Sequence, residues 1–228
     1  MRILMISNLY PPYELGGWEQ NCEQMAMRLE QRGHICHVLT SRYGITSRPL
    51  KEDGVTRDLY LEANVSYYRP LHFFLCRPWQ ERANRRALRN ALRSTRPDLA
   101  FIWGMWNLSQ QVAYLAEQWM PGRVAYALAG YWPIEPSCHE AYWQQPARRP
   151  WVQAVMAPAR CLALRTLARH KQAYPLELRH VACVSDYVRR KLDENDALPD
   201  GARVIYNGID PQPFLEAATA RRRGHEGL

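Results

Sequence analysis

The chain of 228 residues contains no hydrophobic run that approaches the ~20 residues needed to span a membrane. Its apolar start, Met1–Ile6, is shorter than a signal-peptide core and is not followed by a small-residue cleavage site. None of the six cysteines forms a C-x-x-C pair, so the sequence indicates neither a zinc site nor a redox motif. These absences predict a cytoplasmic protein with free thiols and without a metal or other bound cofactor.

Acidic residues are scarce in two segments of a chain whose net charge is +8. Seven arginines and a single acid, Glu81, lie between Arg77 and Arg96, and no acid occurs between Ala141 and Leu176. Helical spacing places most of the first group on one stripe, opposite apolar residues. This stripe consists of Arg82, Arg85, Arg86, Arg89 and Arg93.

A basic stripe of this kind is suited to an anionic membrane surface, and a phosphorylated ligand or nucleic acid would bind it as well. The plain alternative is the solvated outer face of a helix that covers a sheet. Because the sequence carries no nucleic-acid-binding motif, we expect no nucleic acid partner. The stripe therefore predicts peripheral attachment to the inner face of a membrane as one alternative for this cytoplasmic chain.

Short apolar runs alternate with helical patterns, which is typical of a doubly wound, mostly parallel sheet of the α/β class. The predicted strands are Arg2–Ser7, Ile35–Ser41, Val55–Leu61, Leu99–Trp103, Val124–Leu128, Val181–Val184 and Val204–Tyr206. The predicted helices are Trp18–Gln31, Gln80–Arg96, Ser109–Gln118, a segment near Trp151–Gln172 interrupted by Pro158, and Tyr187–Leu192. We expect one Rossmann-like domain over residues 1–210 and a flexible polar tail over residues 211–228.

Two adjacent glycines, Gly16 and Gly17, stand between the first predicted strand and the first predicted helix. Bare backbone N–H groups and the positive end of a helix dipole at this position favour a phosphate or another anion. The alternative is a tight turn that requires a positive φ angle. Because the turn does not read G-x-G-x-x-G, an oxidoreductase with a dinucleotide cofactor is not expected.

Six motifs are spread along most of the chain. They are Leu9-Tyr-Pro-Pro12, Gly16-Gly-Trp-Glu19, Arg32-Gly-His34, Trp103-Gly-Met-Trp-Asn-Leu-Ser109, Val181-Ala-Cys-Val-Ser-Asp-Tyr187 and Val204-Ile-Tyr-Asn-Gly-Ile-Asp210. Together they resemble the N-terminal domain of the retaining glycosyltransferases of family 4, which have the GT-B fold. The resemblance implies one half of that fold, in which Gly16 and Gly17 contact the diphosphate of a nucleotide-sugar co-substrate.

Trp106, Asn107, Tyr131 and Trp132 lie on the predicted sheet edge, where they could stack on a sugar ring or line an acceptor cleft. The alternative is that the aromatic residues of these loops simply cover the end of the sheet. Ala129 and Gly130 stand where many family members carry His or His-Asp, so no catalytic residue is assigned. His139 is interpreted as a solvated residue of a loop, and the alternative is that it acts as a base. The chain also has no pair of glutamates at the spacing of eight residues that the family's donor-binding domain uses.

The sequence therefore predicts the acceptor-side half of a retaining glycosyltransferase of the hexosyltransferase class. It would act on a glycan or lipid-linked acceptor in polysaccharide biosynthesis and be inactive without a separate donor-binding domain or chain. The alternative is a non-catalytic module that binds a glycan, a glycolipid or a partner protein. An exposed apolar interdomain face further predicts self-association.

Overall fold

The computed structural model describes residues 1–45, 51–52, 54–146 and 149–208, and in this part of the chain eight strands form one sheet. They are β1 (Arg2–Ile6), β2 (Ile35–Ser41), β3 (Lys51–Glu52), β4 (Val55–Leu59), β5 (Leu99–Ile102), β6 (Val124–Leu128), β7 (His180–Cys183) and β8 (Arg203–Val204). Their order across the sheet is β3-β4-β2-β1-β5-β6-β7-β8. All neighbours are parallel except β3 and β4, which confirms the predicted α/β class.

The described residues form seven helices. They are α1 (Gly17–Gln31), α2 (Pro70–Leu75), α3 (Arg77–Thr95), α4 (Gln110–Trp119), α5 (Cys138–Gln144), α6 (Pro150–Ala173) and α7 (Asp186–Asp193). The sequence pattern predicts neither α2 nor α5. In the part of the chain that the structure describes, no helix has both the length and the hydrophobicity needed to cross a membrane.

The helices cover the two faces of the sheet unequally. α1 covers one face at β1 and β2, where Cys22 and Ala26 pack against Ile3. α3, α4 and α7 cover the opposite face and build the larger core, which includes Leu88 and Val112. The half of the α1 face formed by β5 to β8 is left as an open groove, whose apolar lining includes Phe101, Ala127, Ala182, Val184 and Ile205.

α6 is one continuous helix of 24 residues, so the predicted interruption at Pro158 is wrong. A proline within a helix leaves the carbonyl four residues earlier without its N–H partner. Here that carbonyl belongs to Ala154, and both Ala154 and Pro158 are exposed. Water can therefore take the place of the missing donor, and the helix continues.

The segment after α6 is fastened to the core by one buried carboxylate. Glu117 on α4 accepts hydrogen bonds from the Tyr126 hydroxyl over 2.7 Å and from the backbone N–H groups of Glu177 and Leu178, each over 2.9 Å. At its other side, α6 packs against α2 and α5 in a small separate core centred on Phe73 and Trp143. The helix is thus held at its carboxyl end and along one face.

All six thiols are free, as the sequence predicts, and Cys22, Cys36 and Cys183 are buried. Residues 209–210 of the predicted domain and the predicted tail at 211–228 lie outside the described residues.

Candidate functional site

The carboxyl ends of β1 and β5 mark the point where the strand order reverses, because β2 lies on one side of β1 and β5 on the other. Doubly wound sheets bind their ligands just outside such a point. The loops that follow β1 and β5 approach each other closely, because the Asn8 N–H donates to the Gly104 carbonyl over 2.9 Å. A Cβ atom on Gly104 would collide with Asn8 Oδ1, so a larger residue there would require the Asn8 side chain to move. The indole rings of Trp18 and Trp103 stack nearby and bring the start of α1 to the same edge.

Gly16 and Gly17 form the open amino end of α1. Gly16 has extended backbone, with φ −164° and ψ −175°, and neither glycine has a positive φ, so the tight-turn alternative is wrong. A Cβ atom on Gly17 would meet no atom within 4 Å. The Gly16 N–H donates to the Glu19 carboxylate over 3.1 Å, which explains the acid in the first turn of the helix. Binding of a donor diphosphate here stays a prediction.

The loop that leads to the glycine pair is held by Arg57 on β4, a residue that no sequence pattern marks. The Arg57 side chain is buried among the residues of this loop. Its Nη1 donates to the Tyr10 carbonyl over 3.1 Å and its Nη2 to the Pro11 carbonyl over 2.5 Å. Its guanidinium also lies 5.2 Å from the centre of the Tyr13 ring. A longer contact, 6.0 Å, joins the guanidinium to the centre of the Tyr10 ring. These four interactions with one buried cation fix the conformation of the loop.

A cavity opens at this edge between the ends of β4, β5 and β6 and the helices α5 and α6. Its walls combine aromatic rings, carboxyl groups, an imidazole and an ammonium group, provided by Trp106, Trp132, Glu62, Glu135, His170 and Lys171. Indole rings provide flat apolar surfaces, and carboxylates accept hydrogen bonds from hydroxyl groups. The cavity therefore has the chemistry to hold a polar ring compound that carries several hydroxyl groups.

Three of the four predicted cleft residues line this cavity, namely Trp106, Asn107 and Trp132. The Asn107 amide is occupied within the protein, because it accepts from the Ala63 N–H over 2.9 Å and donates to the Ala63 carbonyl over 2.7 Å. Asn107 thereby holds the segment that carries Glu62 and shapes the cavity through it. Its backbone carbonyl also accepts from the Glu62 N–H over 2.8 Å.

The loop directly after β6 contains Ala129, Gly130 and Tyr131. A Cβ atom on Gly130 would meet no atom within 4 Å. No neighbouring side chain therefore occupies the space beside Gly130, where many family members carry a polar residue. Tyr131 is not part of the cavity wall, and its ring packs edge-on against Tyr187 with centroids 6.5 Å apart. The titratable groups of the cavity therefore come from other positions, among them Glu135 later in the same loop.

Glu62, in the loop after β4, separates this cavity from a second one beneath α2 and α5. Burial raises the pKa of the Glu62 carboxyl to about 7, the charge of Arg77 opposes the rise, and Glu81 and Glu140 add to it. A carboxyl in this range can exchange a proton near neutral pH. Glu62 is a feature that the sequence pattern does not reveal.

His139 lies on α5 and is 2% exposed, so its interpretation as a solvated loop residue is wrong. Its Nδ1 is hydrogen-bonded to the Tyr68 hydroxyl over 2.8 Å, and among the described residues its Nε2 has no hydrogen-bond partner. Burial, together with the charge of Arg77, lowers the pKa of His139 to about 3, and the ring is neutral. The missed signal is the S-x-x-E capping box of Ser137 and Glu140, which starts α5.

An ion-pair network stands behind the cavity wall. One oxygen of Glu81 lies 2.9 Å from Arg77 Nη2 and 2.9 Å from His170 Nε2. Burial would raise the pKa of Glu81, but the adjacent His170 ring and the charge of Arg77 outweigh it and lower the value. The network fixes His170, which faces the cavity from α6.

The five arginines of the predicted basic stripe are exposed along α3, and none of them lines the cavity. Ala87, Leu88 and Ala91 on the opposite side of the helix are buried, as the helical spacing predicts. Arg89 lies over the ring of Trp119 at 5.2 Å. Anion binding by this stripe stays a prediction.

The family model described as Glycosyltransferase Family 4 matches residues 15–213. The chain belongs to glycosyltransferase family 4. This confirms the family that the six motifs indicate. No curated protein matches this family 4 chain. Among solved structures it is similar to the crystal structure of MurG from Acinetobacter baumannii, at 13% identity and a TM-score of 0.35, over 92% of this chain and 67% of that one.

Proposed function

We propose that this family 4 domain is the acceptor-side half of a retaining glycosyltransferase that transfers a sugar from a nucleotide-sugar to a glycan or lipid-linked acceptor in polysaccharide biosynthesis. One observation carries the proposal. The cavity walled by Trp106, Trp132 and Glu62 opens at the same sheet edge as the amino end of α1. Acceptor and donor diphosphate would therefore meet at the carboxyl ends of the strands.

The cavity would bind the sugar ring of the acceptor by stacking and hydrogen bonding. An indole face of Trp106 or Trp132 would cover the ring, and the carboxyl oxygens of Glu62 and Glu135 would accept hydrogen bonds from its hydroxyl groups. The amino end of α1 at Gly17 would stabilise the negative charge that develops on the leaving diphosphate. Holding both substrates in one orientation would lower the barrier to their reaction.

The donor would be held mainly by a second Rossmann-like unit outside these 228 residues, either in a separate chain or in a continuation of this one. Ala129 and Gly130 offer no acid, base or hydrogen-bonding side chain in the loop after β6. The lack of such a side chain at Ala129 and Gly130 favours a second candidate function. In it, the domain is a non-catalytic module that binds a glycan or glycolipid in the same cavity. Both functions require the cavity to bind sugar.

Sugar binding is tested by saturation-transfer NMR with a set of free monosaccharides and their methyl glycosides. We expect signal transfer to at least one of them, and a loss of more than half of it in Trp106→Ala. Trp79→Ala is the matched control, since Trp79 is also an exposed indole but does not line the cavity. Equal transfer by both variants, or none by the wild type, would overturn the sugar-binding assignment.

Nucleotide-sugar turnover separates the two functions. The 228-residue chain alone is expected to release no nucleoside diphosphate, because it lacks the paired glutamates of the donor site. Addition of the donor-binding unit should restore release if the domain is half of an enzyme, and should leave it absent if the domain is a binding module. Release by the chain alone would refute its inactivity in isolation.

A further inference from the structure

α6 has two faces of different chemistry. On the inner side, Ala163 and Leu167 are buried, and Leu167, His170 and Lys171 reach the cavity. On the opposite side, residues spaced alternately by four and three positions form a row along the whole helix. This outer row consists of Trp151, Val155, Pro158, Leu162, Arg165 and Arg169.

The first part of the outer row exposes large apolar side chains. Trp151 is 64% exposed, Val155 71% and Leu162 58%. A row of this kind on a helix of 24 residues, about 36 Å long, is more than the scattered apolar residues of an ordinary protein surface. It calls for a partner that removes these side chains from water.

The charge of the helix indicates which partner. No aspartate or glutamate occurs between Ala141 and Leu176, whereas Arg165 and Arg169 continue the outer row beyond Leu162. Exposed arginines at one end of an apolar row fit a surface with an apolar interior and anionic headgroups. Tryptophan at the other end is the residue that prefers the boundary between water and lipid.

Two other occupants fit less well. A second copy of this chain, docked symmetrically on the outer row, would bring α6 against α6, both of them basic and without an acid. A nucleic acid would engage Arg165 and Arg169 but would leave Trp151, Val155 and Leu162 in water.

We propose that the outer row of α6 docks on an anionic lipid bilayer, with Trp151, Val155 and Leu162 in the interfacial layer and Arg165 and Arg169 against the headgroups. The neighbouring helix α2 exposes two further leucines, Leu71 and Leu75, and packs against α6 through the core of Phe73 and Trp143. These side chains are distinct from the five arginines of the basic stripe on α3.

Docking of α6 on a bilayer indicates which class of substrate would reach the cavity. One helix, about 10 Å thick, separates the outer row from Leu167, His170 and Lys171 at the cavity wall. A saccharide attached to a membrane lipid would thus be presented to the cavity beside the bilayer. This last step rests on the proposed function, whereas docking of the helix itself does not.

Co-sedimentation with vesicles tests the docking. The full 228-residue chain should bind vesicles that contain phosphatidylglycerol and should bind pure phosphatidylcholine vesicles at least tenfold more weakly. The double variant Val155→Glu/Leu162→Glu should lower partitioning to the anionic vesicles at least tenfold. Met27→Glu is the control, because Met27 is 53% exposed on α1, away from α6. Equal binding to both vesicle types, or equal binding by the double variant and the control, would overturn the proposal.

A second measurement reports contact with the acyl chains themselves. Lipids with brominated chains should quench part of the tryptophan fluorescence, and Trp151→Phe should remove most of that quenching. Quenching that does not depend on Trp151 would contradict docking through the outer row. Sedimentation equilibrium tests whether a second copy of the chain occupies the outer row instead. A wild-type dimer that the double variant dissociates, together with an absence of vesicle binding, would assign the row to a second copy and refute docking on a bilayer.

The vesicle measurements need no sugar, and the NMR measurement of sugar binding needs no vesicle. Failure of the docking proposal can therefore be told apart from failure of the proposed function.

Discussion

Trp18 and Trp103 each donate their indole N–H to the backbone carbonyl of the other, over 2.9 Å in both directions. Their rings stack with centroids 4.5 Å apart, although 85 residues separate them along the chain. The pair joins the first turn of α1 to the loop after β5. The glycine pair and the cavity wall are thereby held in one fixed relation.

Replacement of Trp103 by phenylalanine should lower the free energy of unfolding by about 1–3 kcal/mol. It removes the hydrogen bond that Trp103 donates to the Trp18 carbonyl and opens space in a buried stack. Urea unfolding followed by circular dichroism measures the change. Trp79→Phe, at an exposed position, should cost at most about 0.5 kcal/mol, and an equal loss in both variants would contradict a special role of the pair.

Glu62→Gln should change how stability depends on pH. The folded state holds the Glu62 proton up to pH about 7, whereas the unfolded state releases it near 4.5. Unfolding in this window releases the Glu62 proton, so the contribution of Glu62 to the free energy of unfolding falls as pH rises from about 4.5 to about 7. The buried neutral His139 acts in the opposite direction below pH about 6.5, and it does so equally in the wild type and the variant.

Glutamine does not titrate, so Glu62→Gln should become more stable relative to the wild type as pH rises through that window. Urea unfolding at several pH values measures the difference. Gln110→Asn alters the cavity without changing a titratable group and should keep the wild-type dependence. A difference between Glu62→Gln and the wild type that stays constant from pH 4.5 to 7 would rule out the raised pKa.

The basic stripe of α3 should contribute to vesicle binding through charge alone. Each exposed arginine near an anionic bilayer is worth about 1 kcal/mol, which is about fivefold in affinity. The double variant Arg85→Gln/Arg86→Gln should therefore weaken binding to anionic vesicles by one to two factors of about five. Binding to neutral vesicles should not change. Arg123→Gln, exposed just before β6 at the amino edge of the sheet, serves as the control. No difference between the two variants would show that the stripe is merely solvated.

The open groove on the α1 face predicts concentration-dependent self-association. Ile205 is exposed at the groove, next to the partly covered Phe101 and Val184. Ile205→Asp should shift sedimentation towards the monomer, because a charge in an apolar contact is costly to bury. Leu15→Asp, exposed outside the groove, should have no effect. A monomeric wild type at all concentrations would refute the prediction.

The sheet was predictable because parallel strands that are buried on both faces read as continuous apolar runs. Ile35–Ser41 and Val124–Leu128 are predicted to the residue, and the other predicted strands differ from the structure at their ends. The two-residue strand Lys51–Glu52 carries no such run, since it is polar and short. Pro158 misled the prediction of α6 because its effect depends on solvent exposure, which a local pattern does not contain.

The candidate site was predictable only where loops follow strands. Trp106 and Trp132 could be placed because the carboxyl ends of parallel strands share one edge. Glu62 and His139 could not, because their burial depends on how α2, α5 and α6 pack together. The contact between Tyr68 and His139 alone joins positions 71 residues apart.

Arg57 gives the loop before the glycine pair an order that does not depend on any ligand. Its guanidinium bonds the carbonyls of Tyr10 and Pro11, so this stretch has little conformational freedom left to lose. Ordering a backbone residue costs about 1–2 kcal/mol of conformational entropy, and here folding has already supplied that cost. An anion that binds at Gly17 would find the loop already ordered. The affinity of the site for the anion would therefore not be reduced by the free energy needed to order the loop.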